Sequence, residues 1–419
     1  MKLRVGVDER PSAGAMLLYG LQWLMICIPV VLTSTFVAPA GETVFFTQKL
    51  FAVMGVTMIV QALWGHRLPL VAGPAAVLLM GVLAAAGQGS DSNTIYPSMI
   101  IGGGVIALLA ACGALRYVQR IFTPRIVVSI LVLISFTMAK PIVGMIFSDA
   151  EHLGTALLFA LVCVIAMATA NNLLRGVWKT MVVIIAMLLG SLIYYALTGF
   201  PSQFVKDSQP AQLLLDGFNI DAGVVVAFLF CYIALLINEV GSVQSLGEFI
   251  EATGMERRQK RGMILTGVMN IVSGACGIVG PVDYSLSPGV VASTSCGSRY
   301  TVIPAAAAMI VIACVPELVS VLLTIPQPVM GIVLMYLMAT QIAAGFHLMH
   351  ESGASASFKD GLVLAIPIMV TIILSFAPQE ALAAIPSLVR PIAGNGFVMG
   401  IIVVLLLEHL FLHSRRKQK

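Results

Sequence analysis

The chain has 419 residues, of which 59% are hydrophobic and only 10% charged, and its mean hydropathy is +1.00. A water-soluble fold cannot hide that much apolar surface, so soluble domains are excluded in favour of a polytopic membrane protein, with about 20 apolar residues needed per helical span. The formal net charge of +4 does not imply nucleic-acid binding, and the placement of the positive charges is more informative than their sum.

The first ten residues, MKLRVGVDER, carry charges of both signs and lack the apolar stretch and small-residue cleavage site of a secretory signal. The N-terminus is therefore expected to be retained and cytoplasmic. Apolar runs bounded by Gly, Pro and charge then predict spans near 16 to 38, 45 to 63, 68 to 86, 97 to 115, 124 to 139, 152 to 170 and 179 to 198. After a polar stretch from Pro201 to Asp221, seven more follow near 222 to 243, 261 to 279, 286 to 297, 301 to 315, 327 to 345, 361 to 376 and 391 to 412. With the N-terminus inside, only Lys49, Lys140, Lys206 and Arg390 of the 23 lysines and arginines fall outside. Basic residues gather on cytoplasmic loops, so both termini are expected inside.

Seven spans in each half oblige the second half to enter the membrane in the opposite sense, which is an inverted repeat of residues 1–200 and 201–419. The third segment of each half is interrupted: LPLVAGPAAVLL (68 to 79) and GPVDYSLSPGVV (280 to 291) both carry Gly and Pro at matching places. Proline lacks an amide donor and disfavours helix in the residue before it, so each segment should begin as an extended strand and continue as a short helix. Non-helical backbone is tolerated at membrane depth only where it is buried in protein or lines a cavity. Two half-helix N-termini then face one central site, the arrangement expected of a secondary transporter.

Ionisable residues inside spans are few. Glu239, beside Asn238 in CYIALLINEVGSVQSLGEF, is a candidate for ligand binding or proton coupling; bonding a neighbouring backbone is the structural alternative. Asp283 precedes the tenth half-helix, where it is placed to cap N–H groups, meet substrate or carry a proton. Gln22, in the first span, suits either a heterocycle edge or an interhelical hydrogen bond. Glu248 and Glu251, with Glu256, Arg257, Arg258, Lys260 and Arg261, read as a solvated cytoplasmic loop. His66, His347, His350 and His413 fall at loops or span ends, and Glu408 with His409 reads as interfacial. No histidine pair has metal-ligand spacing, and the seven cysteines stand singly in apolar stretches as packing residues. No cofactor and no catalytic constellation is expected, so transport is preferred over an intramembrane enzyme.

GLQWL in the first span, LPLVAGPAAVLL in the third, SPGVVASTSCGSRY through the tenth and IPQPVMGIVLMYLMATQIAAGF near 325 to 346 together resemble the nucleobase–ascorbate transporter family, also called nucleobase cation symporter family 2. The resemblance implies an all-α membrane fold of fourteen segments in two inverted sevens, with short strands in segments 3 and 10, split into core and gate domains and often dimeric through the gate. It also implies import of uracil, xanthine or a related base across a bacterial inner membrane, with a proton, or alternatively sodium, as coupling ion. Carried over, the substrate site comprises Glu239, Asn238, Ala75, Ala76, Tyr284, Ser287, Gly289 and Gln22, with Glu239 and Asp283 as proton-coupling groups. The chain departs from the family at the anchors. Asn238 holds the place of the eighth-span glutamate, Glu239 being only two residues before Gly241. Leu286 and Ser287, followed by Pro288, replace the polar pair of the tenth segment, and Trp23 stands where histidine is common. Transport of another small metabolite or an anion on the same plan is the alternative.

Overall fold

The computed structural model describes residues 3–114, 123–149, 153–175, 177–200, 205–208, 212–284, 287–353, 357–386 and 389–416. Leu286 and the basic residues Lys2, Arg116, Arg120, Lys417 and Lys419 lie outside them. The first half is built from α1 (Ala13–Leu32), α2 (Thr43–Leu63), strand β1 (Val71–Pro74) leading into α3 (Ala76–Gly87), α4 (Ser92–Ala111), α5 (Pro124–Thr137), α6 (Leu153–Leu173) and α7 (Val182–Thr198). The second half follows as α8 (Ala222–Phe249), α9 (Met255–Ala275), β2 (Pro281–Tyr284) leading into α10 (Ser287–Thr294), α11 (Val302–Cys314), α12 (Gln327–Ser352), α13 (Phe358–Ser375) and α14 (Gly396–Arg416). A further helix, Ala139–Ile146, extends α5, and Pro316–Leu322 follows α11 after a bend of 102°. Among the described residues, eight helices are long and apolar enough to cross a membrane by length and composition.

Local chemistry marks the boundaries. Side chains of Ser12, Thr123, Asp221 and Ser357 accept hydrogen bonds from first-turn amides of α1, α5, α8 and α13, satisfying donors that have no partner inside the helix. Pro124 opens α5 at a position where a missing N–H costs nothing. Gly353, at φ 62°, ends α12 in the left-handed conformation that glycine adopts without strain. Between the caps the helices are apolar nearly all round. On α6, Leu157, Leu158, Leu161, Val162 and Ile165 form an exposed apolar face, which lipid tolerates and water does not.

Tertiary packing obeys the inverted repeat, with α1 to α7 matched by α8 to α14. The contact of α4 with α9 has its counterpart in α11 with α2, and that of α1 with α11 in α8 with α4. Strand β1 lies on α1 and α2 as β2 lies on α8 and α9. In a second group, α5 meets α12, its own counterpart, while α6 on α12 mirrors α13 on α5, and α7 on α12 mirrors α14 on α5. The helices thus sort into a core (α1 to α4 and α8 to α11) and a gate (α5 to α7 and α12 to α14).

The two strands pair antiparallel in the register Val71↔Tyr284, Ala72↔Asp283, Gly73↔Val282 and Pro74↔Pro281. Pro74 and Pro281 follow the matched glycines of the two halves, so their pairing places the pseudo-two-fold between them. The strands can meet because small residues let the surrounding backbones close in. A Cβ on Gly267 of α9 would lie 2.7 Å from both Ala107 N and Gly103 O of α4. Backbone atoms cannot yield as a side-chain tip can. Gly267→Ala is accordingly expected to destabilise the core by about 1–3 kcal/mol, read as a lowered melting temperature in detergent.

Three sequence expectations need correction. Glu256 to Arg261 form the first turns of α9 rather than a loop, because a helix end at the membrane surface can carry charges that would be expelled from its middle. Helix α8 runs on to Phe249, beyond the predicted end near 243, so Glu248 too is helical. Glu408 is not interfacial: it is buried and its carboxylate sits 3.1 Å from the Arg125 guanidinium.

Candidate functional site

Glu239 stands on α8 with 1% of its surface exposed, facing the paired strands. Its Oε2 accepts from the Asp283 backbone N–H at 2.8 Å and its Oε1 from the Thr266 hydroxyl at 2.6 Å. The structural alternative foreseen for this carboxylate, bonding of a neighbouring backbone, is therefore realised, and the carboxylate ties α8 to β2 and α9. A carboxylate offers about four lone-pair sites, so two bonds leave acceptor capacity for a ligand.

Contacts among buried polar side chains continue from there around a ring. Thr266 Oγ1 also accepts from Gln61 Nε2 at 2.9 Å, and Gln61 Oε1 accepts from the His66 backbone N–H at 3.4 Å. His66 Nε2 lies 3.0 Å from Asp283 Oδ2 without a hydrogen bond between them, a contact that brings the ring back to β2. All five residues are almost fully buried. His66 belongs to the turn after α2, a place that read as a loop, but that turn folds back beneath the strands. Asp283 does not cap α10: its side chain leaves the strand toward His66.

The strand backbones are held in the same way. The Tyr284 hydroxyl donates across the pair to Pro74 O at 2.7 Å, and Ala75 N donates to Gly280 O at 2.9 Å. Ser287, the first residue of α10, accepts through Oγ from Val71 N at 3.1 Å. Asn270 Nδ2 donates to Pro281 O at 3.0 Å and its Oδ1 lies 3.0 Å from the Tyr232 hydroxyl. Tyr284→Phe should cost about 0.5–1.5 kcal/mol in thermal stability, the net value of one such bond.

Of the residues singled out from sequence, Glu239, Asp283, Tyr284, Ser287 and Ala75 converge on the strand pair. Ala76 opens α3 and Gly289 lies in the first turn of α10, so both half-helices begin there. Gln22 is buried on α1. Asn238 is half-buried on α8, turned about 100° from Glu239 by the helix period. Gln61, His66, Thr266 and Asn270 were missed. The spacing of Thr266 and Asn270, four apart on an otherwise apolar stretch of α9, was the available signal.

A cavity of about 440 Å³ opens at the core–gate boundary. Met80 and Gln88 line it from the core, and Lys140, Gln327, Ser375 and Asn395 from the gate. None of the substrate-site or proton-coupling residues expected from sequence lines it.

Two apolar inverted halves, broken helices paired at the pseudo-two-fold and a buried polar ring define an integral membrane transporter. The Permease family model, that of xanthine and uracil permeases, matches residues 14–380. The chain therefore belongs to the xanthine/uracil permease family. It is 22% identical to a protein of Clostridium perfringens with a provisional purine-permease name, over 99% of this chain and 94% of that one. With the uracil permease of Bacillus caldolyticus it shares 23% identity, over 87% of this chain and 86% of the relative. The transmembrane domain of the cyanobacterial bicarbonate transporter BicA superposes with a TM-score of 0.65 at 15% identity, covering 88% of this chain and 98% of that domain. That likeness speaks for the inverted-repeat fold.

Proposed function

We propose that the chain imports a nucleobase, uracil, xanthine or a related purine or pyrimidine, together with a proton, across a bacterial inner membrane with both termini in the cytoplasm. The observation that carries this reading is the buried carboxylate of Glu239, held where the two broken segments of the core pair. A nucleobase edge presents donors and acceptors to such a group, and Ala75, Ala76, Tyr284, Ser287 and Gly289 supply backbone and side-chain partners around it. Glu239 and Asp283 are the coupling groups. Residues 1–200 and 201–419 form the two repeats, and the core moves against the gate to alternate access, the cavity between them being the route of approach. A dimer would form through the gate.

Uptake of labelled uracil, xanthine and uric acid into proteoliposomes tests the reading. It requires accumulation of at least one base that rises with an inward proton gradient and collapses with a protonophore. No uptake of any base would overturn it.

A further inference from the structure

The core–gate cavity runs away from the paired strands. At about 1.5 Å per helical residue, its lining residues Met80 and Gln88 stand about 6 and about 18 Å along α3 from Ala76, where the strand gives way to helix. Its wall takes in the ends of α3 and α13 and the starts of α12 and α14. That is the opposite end of the gate from Arg125 and Asp360, at the starts of α5 and α13, and from Glu408, toward the end of α14. Most of the wall is apolar, with Phe36, Leu83, Met145 and Leu374 in it. Two polar atoms of its lining residues, Gln88 Oε1 and Ser375 Oγ, are buried without a hydrogen-bond partner among the described residues. Leaving such atoms unpaired costs stability unless a ligand or water serves as partner.

Both side chains lie against one short loop of the gate. A Cβ on Gly394 would stand 3.0 Å from Gln88 Nε2, and one on Gly396 would stand 2.7 Å from Ser375 Oγ. The glycines on either side of Asn395 therefore keep room for the two polar groups. The loop itself is fixed: Asn395 Oδ1 accepts from the N–H groups of Phe397 and Val398 at 3.1 and 3.2 Å, and Thr371 Oγ1 donates to Gly396 O at 2.8 Å. Exposed Lys140, on the helix that extends α5, lines the same cavity and brings ammonium donors.

An apolar slot that offers an acceptor, a hydroxyl and a cation suits a planar heterocycle with a ring N–H beside an exocyclic oxygen. Resting on the reading of the cargo as a nucleobase, we infer that the cavity holds an entry subsite for the base, separate from the Glu239 site. In it Gln88 accepts from the N–H of the base, and Ser375 and Lys140 donate to its oxygen. Gln88 belongs to the core and Ser375 to the gate, so a base bound here touches both, and movement of one against the other dismantles the subsite.

The test uses the full-length protein in lipid, with Ala84→Cys as reporter on the cavity wall one turn before Gln88 and the exposed Cys112 and Cys314 changed to serine. Maleimide labelling is followed while uracil or xanthine is added. Base should protect the thiol, at the same half-protecting concentration in Glu239→Gln as in the parent. Gln88→Leu combined with Ser375→Ala should raise that concentration about tenfold, through the loss of two hydrogen bonds. Labelling without base should stay close to the parental rate, which reports an intact cavity. A half-protecting concentration displaced by Glu239→Gln and unmoved by the paired substitution would overturn the inference, because protection would then arise at the strand pair. So would absence of protection in a protein that takes up the base, with the nucleobase reading left standing. Neither uptake nor protection by any base would overturn that reading and the subsite with it.

Discussion

Glu239→Gln should give a folded protein whose base uptake falls by about a hundredfold, corresponding to about 2.7 kcal/mol. Glutamine is nearly isosteric, and its carbonyl can still accept from Asp283 N–H while its amide turns toward the Thr266 hydroxyl, which can accept. What disappears is the charge, and with it the ability to bind a proton or to form the stronger bonds of a charged acceptor. Glu239→Ala should behave differently. It strands the Asp283 N–H and the Thr266 hydroxyl in a dry interior and should lower stability by about 2–3 kcal/mol. Asn238→Ala, at a half-buried residue whose side chain makes no hydrogen bond among the described residues, should change stability by no more than about 0.5 kcal/mol. Thermal-shift titration with each base then separates the two neighbours, since a ligand of the folded state raises its apparent stability. If Asn238→Ala abolishes the shift while Glu239→Gln preserves it, Glu239 is only the brace of the strand pair and Asn238 reads the base.

The largest loss of stability is expected far from that ring, at Arg125. Its Nη2 lies 3.1 Å from Asp360 Oδ1, and its Nη1 lies 3.1 Å from both oxygens of Glu408. The two carboxylates are 6% and 1% exposed, so neither can recover its solvation if the guanidinium is removed. Ser357 Oγ adds a bond to Asp360 Oδ2 at 2.7 Å but brings no positive charge. Arg125→Met should therefore cost about 3–5 kcal/mol, because it takes the guanidinium away from the buried Glu408 carboxylate where α5, α13 and α14 meet. Lysine should rescue only part, since a point charge cannot engage both acids with a planar fork. Adding Glu408→Gln to Arg125→Met should recover part of the loss by removing one stranded charge. Melting temperature and the monodisperse fraction in detergent read these effects. A melting temperature unchanged in Arg125→Met would show that the cluster contributes nothing to holding the gate together.

Much of this architecture was legible in the sequence because the bilayer permits few solutions. A run of apolar residues of the right length must be a helix, and matched Gly-Pro interruptions in two antiparallel halves must meet near a common axis, as Pro74 and Pro281 do. Glu239 was conspicuous for the same reason: a lone carboxylate in an apolar span has to find partners. Its partners were not legible. Asp283 had been singled out with it, but Gln61, His66 and Thr266 lie on three further elements, and nothing in their separation along the chain announces that they share a ring with it. His66 misled because it follows a span end, where a histidine is usually wet. Glu408 misled similarly, since its neutralising arginine is 283 positions earlier. Charge at a helix end says only that water or a counter-ion must be near, not which.

The pairing of β1 with β2 also constrains how the chain can be made. Val71 and Tyr284 stand in register although more than two hundred residues separate them. Until the second strand has been synthesised and inserted, the first has no partner for its backbone groups at a depth where lipid offers none. The first seven segments therefore cannot reach their final packing on their own. Helices α2 and α4 likewise wait for α11 and α9. Assembly must end with a late, long-range closure, and an N-terminal half released early should expose an unpaired strand and two glycine-lined helix faces, a ready substrate for membrane quality control.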